Sequence, residues 1–215
     1  MAKRVFDIMA ALAALAVLGP PMVAIGVAIR LGSPGPAIFR QRRAGWRGRP
    51  FTMLKFRTMR ADVDPYGASP HAAGDSRLTP LGRWLRQVSL DELPQLLNVL
   101  AGQMSLVGPR PLYERQAALW NDRQRRRLEV RPGLTGYAQA YGRAAMTHEE
   151  KIEMDVQYVQ RRSFWLDMKI ILRTLANLLG GKGGVYEQRY SKDQEYESTP
   201  PGQSRDSAGG RGEGD

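Results

Sequence analysis

The sequence predicts a helix-rich α/β fold, with a membrane-embedded re-entrant helix hairpin at the N-terminus and a compact cytoplasmic domain that carries interfacial amphipathic helices. Three observations lead to this prediction. Of the 215 residues, 42% are hydrophobic, which excludes a chain that is disordered throughout. An uncharged apolar segment occupies residues 8–29. Short strand patterns and amphipathic helical patterns both follow it.

The N-terminal segment is long enough to cross a bilayer, since a helix over residues 8–29 measures about 33 Å. Gly19, Pro20 and Pro21 lie at its midpoint, where consecutive prolines remove hydrogen-bond donors and favour a bend. Basic residues flank both ends, which assigns both ends to the cytoplasm. We therefore favour a hairpin over residues 1–32 that breaks near Pro20 and returns to the same face. A simple spanning helix and a cleaved or buried segment are the alternatives.

The second domain is predicted over residues 33–186, and a polar, disordered tail over residues 187–215. Alternating apolar residues predict strands, and apolar residues at helical spacing predict helices. The predicted strands are at 37–41, 50–56 and 104–108. The predicted helices are at 79–100 (with a break over residues 89–94), 113–127, 149–161 and 164–179. Residues 44–49, 62–75 and 131–137 are rich in turn formers.

The charge of the chain indicates an anionic partner. The chain has 32 Lys+Arg and 21 Asp+Glu, a net charge of +11, and Asp7 is the one acid among residues 1–60. Positive charge concentrated beside an apolar segment favours a membrane surface, so we expect no nucleic-acid partner. The absence of Cys excludes disulfides and cysteine nucleophiles. His71 and His148 are too few for a histidine-rich metal site and are expected at the surface.

The candidate chemistry lies in two acids and several basic residues. Adjacent Asp91 and Glu92 begin a predicted helix, where acids also serve simply to complement the helix dipole. Arg110, held between two prolines, has a preorganised guanidinium suited to phosphate oxygens, although a solvated corner is the more common explanation for such a residue taken alone. Four further basic side chains suit either a substrate phosphate or lipid headgroups. These four are Lys55, Arg57, Arg83 and Arg86.

Several ordered motifs resemble a known family. The longest motifs are Ser-Leu-Asp-Glu-Leu-Pro-Gln-Leu-Leu-Asn-Val-Leu at 89–100 and Met-Ser-Leu-Val-Gly-Pro-Arg-Pro-Leu at 104–112. The shorter ones lie at residues 3–7, 39–43, 55–59, 131–136 and 155–167. Together they cover residues 3–186 and resemble the bacterial sugar transferases, the monotopic polyprenyl-phosphate phosphoglycosyl transferases, in their small stand-alone form. The chain departs from the family pattern at Gly19-Pro20-Pro21, where many members have Ser-Pro, and at Tyr141 and Ala144, where many have Asn.

The resemblance implies an enzyme that transfers a sugar 1-phosphate from a UDP-sugar to undecaprenyl phosphate and releases UMP. It implies that Asp91 is the nucleophile, through an aspartyl-phosphosugar intermediate, and that Glu92 is a catalytic residue that binds Mg²⁺. Arg86 and Arg110 occupy family positions associated with the phosphates and the nucleotide, and Lys55 and Arg57 lie in a basic motif that supports them. All four are therefore predicted to bind substrate.

The resemblance also implies a place in the cell, at the cytoplasmic face of the bacterial inner membrane and in contact with its lipids. The reaction would be the first membrane step in the synthesis of an exopolysaccharide, O-antigen, capsule or glycoprotein glycan. The identity of the sugar, and whether the chain forms a homodimer, are left open. The alternative is a non-catalytic membrane-surface anchoring protein related to this family.

Overall fold

The computed structural model describes residues 2–63, 75–142 and 146–180. Within them the protein is helix-rich α/β, as the sequence predicts. The helices are α1 (Ala2–Gly32), α2 (Pro80–Gln87), α3 (Gln95–Leu100), α4 (Glu114–Ala118), α5 (Asp122–Arg125), α6 (Tyr137–Tyr141), α7 (His148–Arg161) and α8 (Phe164–Leu179). The strands are β1 (Ile38–Ala44), β2 (Pro50–Phe56), β3 (Ser105–Val107) and β4 (Gly133–Thr135). The predicted tail, His71 and Ala144 lie outside the described residues.

The N-terminal segment forms one unbroken helix, α1, which includes both Pro20 and Pro21. It is long and apolar enough to cross a membrane by length and composition, at about 46 Å. The break predicted near Pro20 is not present in this helix, so the hairpin stays a prediction. The two prolines leave the carbonyls of Ala16 and Val17 without their helical donors. Both of those residues are exposed.

One stripe of α1 packs against the rest of the protein. Near its N-terminal end, Ala11 is buried against Met53 and Val99, and near its C-terminal end, Ile29 is buried against Phe56 and Leu85. The opposite face is apolar and open. Its exposed side chains include Val5, Met9, Val17, Val23 and Leu31. That face therefore needs an apolar environment outside the protein.

The four strands form two small sheets. β1 and β2 are antiparallel, with Ile38 opposite Phe56 and Ala44 opposite Pro50, and they correspond to the strands predicted at 37–41 and 50–56. β3 and β4 are parallel, with Ser105 opposite Gly133. The sequence predicts only a turn where β4 lies, because a three-residue strand has no period to recognise.

Other differences from the prediction lie in the connections. The helix predicted over 113–127 is divided into α4 and α5, because the side chain of Asn121 accepts a hydrogen bond from the Gln124 N–H at 2.9 Å and starts a new helix. The α7 and α8 helices match their predictions closely. On α8 several apolar side chains are exposed, including Trp165, Leu172 and Leu179. An interfacial position for such a helix stays a prediction.

Candidate active site

The two adjacent acids lie on a tight turn between α2 and α3. Ser89 adopts a left-handed conformation with φ of 57°, which ends the path of α2 and starts the single 3-10 turn Leu90–Glu92. Asp91 is 7% exposed. The turn therefore places both carboxylates at one point in the fold, and the sequence correctly predicted a break there.

Glu92 accepts hydrogen bonds from two of the predicted substrate-binding residues. The Lys55 ammonium lies 2.8 Å from Glu92 Oε1, and Arg110 Nη2 lies 3.1 Å from the same oxygen. Burial alone would raise the pKa of Glu92, but the two cations outweigh it and lower that pKa to about 2. Glu92 is therefore a carboxylate at any physiological pH.

Asp91 has a different environment from its neighbour. Among the described residues, none donates a hydrogen bond to its carboxylate. Burial raises its pKa above the ordinary value, and Lys55, Arg86 and Arg110 oppose the rise through their charge, while the Glu92 carboxylate adds to it. Asp91 is thus a buried carboxylate that faces cations but is not tied to any of them by a hydrogen bond.

Arg86 is held in place by a residue that sequence analysis missed. Its Nε donates to Thr58 Oγ1 at 2.9 Å. The Thr58 carbonyl in turn accepts from the backbone N–H of Thr79, the N-cap residue of α2. Thr58 is 5% exposed, and a polar residue two positions after a predicted strand is the signal that would have indicated it.

Arg57, which the sequence predicts to bind substrate, lies at the end of α1 and not beside the two acids. Its guanidinium is buried at the C-terminal end of α1, where it donates to the carbonyls of Ser33, Pro34 and Ile29 and to Ser33 Oγ. The structure therefore groups Lys55, Arg86 and Arg110 around the two acids but does not place Arg57 with them. Arg57 follows the end of β2, and the chain turns there.

Arg110 is supported from behind by a buried ion pair. Its carbonyl accepts a hydrogen bond from Arg127 Nη2 at 2.8 Å, and Arg127 forms an ion pair with Asp155 of α7. Both members of the pair are 3% exposed. Burial raises the pKa of Asp155 to about 6, against the opposing charge of Arg127. Sequence analysis placed Asp155 in a family motif but assigned no partner to it.

Asn98 fixes the distance between α3 and the strand that carries Lys55. Its amide oxygen accepts from the Leu54 N–H at 3.0 Å, and its amide nitrogen donates to the Thr52 carbonyl at 2.8 Å. The side chain thus replaces a missing strand partner at the edge of β2. It holds Lys55 in register with the turn that carries Glu92.

The arrangement fits a magnesium ion whose remaining ligands come from a substrate phosphate and water. Both cations bond to Oε1 of Glu92, and within the described residues no donor bonds to its Oε2. No cluster of three or more His, Cys, Asp or Glu is found in the part of the chain that the structure describes. Mg²⁺ commonly uses one or two carboxylates, with phosphate oxygens and water as its other ligands. Glu92 Oε2 supplies one such carboxylate oxygen.

Comparison with known families decides the identity. The sequence model of the bacterial sugar transferase family matches residues 1–181. The chain belongs to this family. The match extends from α1 through α8, so it includes the turn with Asp91 and Glu92, the Pro-Arg-Pro corner and the apolar helix.

Individual bacterial sugar transferases are similar over most of the chain. The "uncharacterized sugar transferase EpsL" of Bacillus subtilis is 45% identical over 181 residues, 84% of this chain and 89% of the relative. A "UDP-glucose:undecaprenyl-phosphate glucose-1-phosphate transferase" of Caulobacter vibrioides is 45% identical and covers 82% and 69%. A "UDP-N-acetylgalactosamine-undecaprenyl-phosphate N-acetylgalactosaminephosphotransferase" of Aeromonas hydrophila is 42% identical over 84% of this chain and 44% of its own length.

Proposed function

We propose that this transferase moves a sugar 1-phosphate from a UDP-sugar to undecaprenyl phosphate. The observation that carries the proposal is the carboxylate of Asp91, which is buried, faces three cations and has no hydrogen-bond donor among the described residues. Relatives named for this transfer with glucose and with N-acetylgalactosamine support the substrate class.

The proposed reaction has two displacements at one phosphorus. An oxygen of Asp91 attacks the β-phosphorus of the UDP-sugar, a P–O bond to the carboxylate forms, and the bond to UMP breaks. A phosphate oxygen of undecaprenyl phosphate then attacks the same phosphorus and expels the Asp91 carboxylate. The products are UMP and undecaprenyl-diphosphate-sugar, and no oxidant or reductant is needed. Two displacements replace one difficult reaction between anions.

The basic residues make it less costly for one anion to approach another. Lys55 and Arg110 hold Glu92 and remain beside the diphosphate, while Arg86 offsets the charge of Asp91. The site is partly buried, which strengthens each of these interactions. Mg²⁺, held by Glu92, would supply further charge neutralisation at the diphosphate. We assign to Asp91 the role of nucleophile and to Glu92 that of metal ligand.

We propose further that the protein is monotopic at the cytoplasmic face of the inner membrane. Both ends of α1 contact the same polar domain, through Asp7 to Ser105 at one end and Ser33 to Arg57 at the other. A helix cannot cross a bilayer while both ends touch one water-exposed domain. A helix that enters the membrane and returns to the same face, as the hairpin prediction has it, keeps both ends on the side of that domain.

The test is UMP release by purified protein in nanodiscs, with undecaprenyl phosphate and a panel of UDP-sugars that includes glucose, galactose and both N-acetylhexosamines. Asp91→Asn is expected to release UMP at least about a thousandfold more slowly than wild type, because the amide cannot form the covalent intermediate. Asp62→Asn is the matched control, since Asp62 is exposed and pairs only with Arg60 among the described residues. It should keep the wild-type rate.

The requirement for a metal ion and the formation of the covalent intermediate are tested in the same preparation. EDTA should abolish UMP release and Mg²⁺ should restore it. Radiolabel from the sugar phosphate should be retained by the wild-type protein after acid quenching, and not by Asp91→Asn. Equal release by both proteins would remove Asp91 as the nucleophile. No release by folded wild type with any sugar would favour the non-catalytic anchoring protein.

A further inference from the structure

The guanidinium of Arg57 closes the turn by which the chain leaves α1. We call Ile29, Ser33, Pro34 and Gly35 the exit turn. Besides its bond to the Pro34 carbonyl, Arg57 lies 2.8 Å from both the Ser33 carbonyl and Ser33 Oγ, and 3.4 Å from the Ile29 carbonyl. The side chain is 7% exposed. A cation is favourable at this position, because the C-terminal end of a helix carries a partial negative charge and the turn after it presents further carbonyls.

Gly35 gives the exit turn the shape that Arg57 needs. Its φ is +106°, a conformation that side chains of L-residues disfavour, and a Cβ there would lie 2.3 Å from Arg57 Nη1. The space that a side chain would fill is therefore occupied by the guanidinium. The glycine and the arginine form one fitted contact, and a change in either one disturbs the other.

The exit turn lies against the turn that carries the two acids. Ile29 is buried with Phe56 and Leu85, and Leu90 and Leu93 pack against the same cluster. Leu90 directly precedes Asp91, and Leu93 directly follows Glu92. The end of the membrane helix and the proposed nucleophile are therefore joined by apolar packing.

Polar contacts join the same two places. Lys55, which bonds to Glu92, precedes Arg57 by two residues, and Thr58, which holds Arg86, follows it directly. Since successive Cα atoms are about 3.8 Å apart, the exit turn and both cations are connected by a very short length of chain. The end of α1 is therefore held at a short distance along the chain from the site.

We propose that Arg57 is a positioning residue that fixes the end of the membrane helix relative to Asp91, so that the phosphate of the lipid acceptor meets the aspartyl-phosphosugar at the correct depth. This inference rests on the proposed function. It differs from the prediction of the sequence, in which Arg57 binds substrate. The lipid arrives along the membrane, whereas the nucleotide arrives from water, so Arg57 governs the second displacement and not the first.

The two displacements can be measured separately. Exchange of labelled UMP into the UDP-sugar needs no lipid and reports the first displacement. Formation of lipid-linked sugar at varied undecaprenyl phosphate in nanodiscs reports the second. We expect Arg57→Ala and Gly35→Ala each to raise the KM for undecaprenyl phosphate at least about tenfold, because even one charge-assisted bond is worth about that factor. UMP exchange should stay within about twofold of wild type.

Conservative and control variants distinguish this role from a general loss of structure. Arg57→Lys keeps the charge but cannot span four acceptors, so its KM should also be raised. Ser33→Ala removes one acceptor and should give a smaller rise. Arg60→Ala and Gly32→Ala should behave as wild type, because Arg60 is exposed and a Cβ at Gly32 meets nothing within 4 Å.

Three results would overturn the inference. Loss of UMP exchange in step with lipid-linked product would place Arg57 at the donor phosphates. An unchanged KM for the lipid in both Arg57→Ala and Gly35→Ala would remove the positioning role. Full activity of Arg57→Lys would show that only the positive charge matters, and not the bonds of the guanidinium to the exit turn. If Arg57→Ala does not fold, Gly35→Ala and Ser33→Ala still decide. Failure of the proposed function itself is seen separately, as absence of UMP exchange in wild type.

Discussion

Asp91 and Glu92 are neighbours in the chain, yet their carboxylates have opposite pKa shifts. Burial acts to raise the pKa of both acids. Glu92 receives direct hydrogen bonds from Lys55 and Arg110 that lower its pKa to about 2, and Asp91 receives only the charge of cations at a distance. This difference suits two tasks, because a permanently charged acid can hold a metal ion and an unbonded one can attack.

The rate should depend on pH through the ionisation of Asp91. The raised pKa of Asp91 means that kcat/KM falls as the pH falls through that value, because the protonated acid cannot attack. Lys55→Met removes the cation that most opposes the rise, so the acid limb should move to higher pH. Lys169→Met, at an exposed position of α8, should leave it unchanged. A Lys55→Met enzyme with a lower rate but the wild-type acid limb would contradict the assignment.

The buried ion pair between Arg127 and Asp155 should contribute to the stability of the fold. Asp155→Asn leaves Arg127 buried without its counter-charge and should lower the free energy of unfolding by about 3–5 kcal/mol. Glu153→Gln, two residues away on α7, breaks only an exposed pair with Arg123 and should cost less than about 1 kcal/mol. Urea denaturation of both variants in the same detergent gives the comparison. Similar losses would mean that the buried pair adds nothing beyond a surface contact.

At the scale of elements, the turn that carries Asp91 and Glu92 depends on a left-handed backbone conformation at Ser89. Ser89 has φ of 57°, which a serine adopts at a cost and a glycine does not. Ser89→Gly should keep activity and leave stability unchanged or slightly raised. Ser89→Val should lower the free energy of unfolding by about 1–2 kcal/mol and reduce UMP release. Thermal unfolding and the release assay check both, and a tolerated valine would show that the turn does not require this conformation.

The sequence predicts helices and strands well where apolar residues recur at a regular spacing. It predicts them poorly where an element depends on a distant strand partner or on a single capping residue. α7, α8 and β2 follow from helical or alternating spacing alone. β4 and the division between α4 and α5 depend on a tertiary strand partner and on one Asn121 cap, which a periodic pattern does not contain. In the site, Asp91, Glu92 and Arg110 follow from motifs. Thr58 lies in the motif at 55–59, but its bond to Arg86 spans 28 residues and no motif shows it. Arg127 lies in none of these motifs, and its role arises from the distant Arg110 carbonyl and Asp155.

At the scale of the whole molecule, α1 packs against the protein along one stripe, and its opposite face is open to the surroundings. The chain has no cysteine, so single cysteines can report its topology. Ala2→Cys and Gly32→Cys should react with an impermeant maleimide in inverted membrane vesicles and not from the periplasmic side of spheroplasts. Val17→Cys, on the open apolar face, should react only after detergent is added. Labelling of the two ends from opposite sides would establish a spanning helix.

The ion pair between Lys3 and Asp167 joins residues 164 positions apart, 2.6 Å across. Asp167 also accepts a hydrogen bond from the hydroxyl of Tyr158 at 2.7 Å, and the same hydroxyl oxygen lies 3.2 Å from the Val107 carbonyl of β3. During synthesis the first helix leaves the ribosome long before its last partner exists. The order of biogenesis is thereby constrained: the apolar helix reaches the lipid first, and docking of the domain onto it finishes only when α8 has been translated.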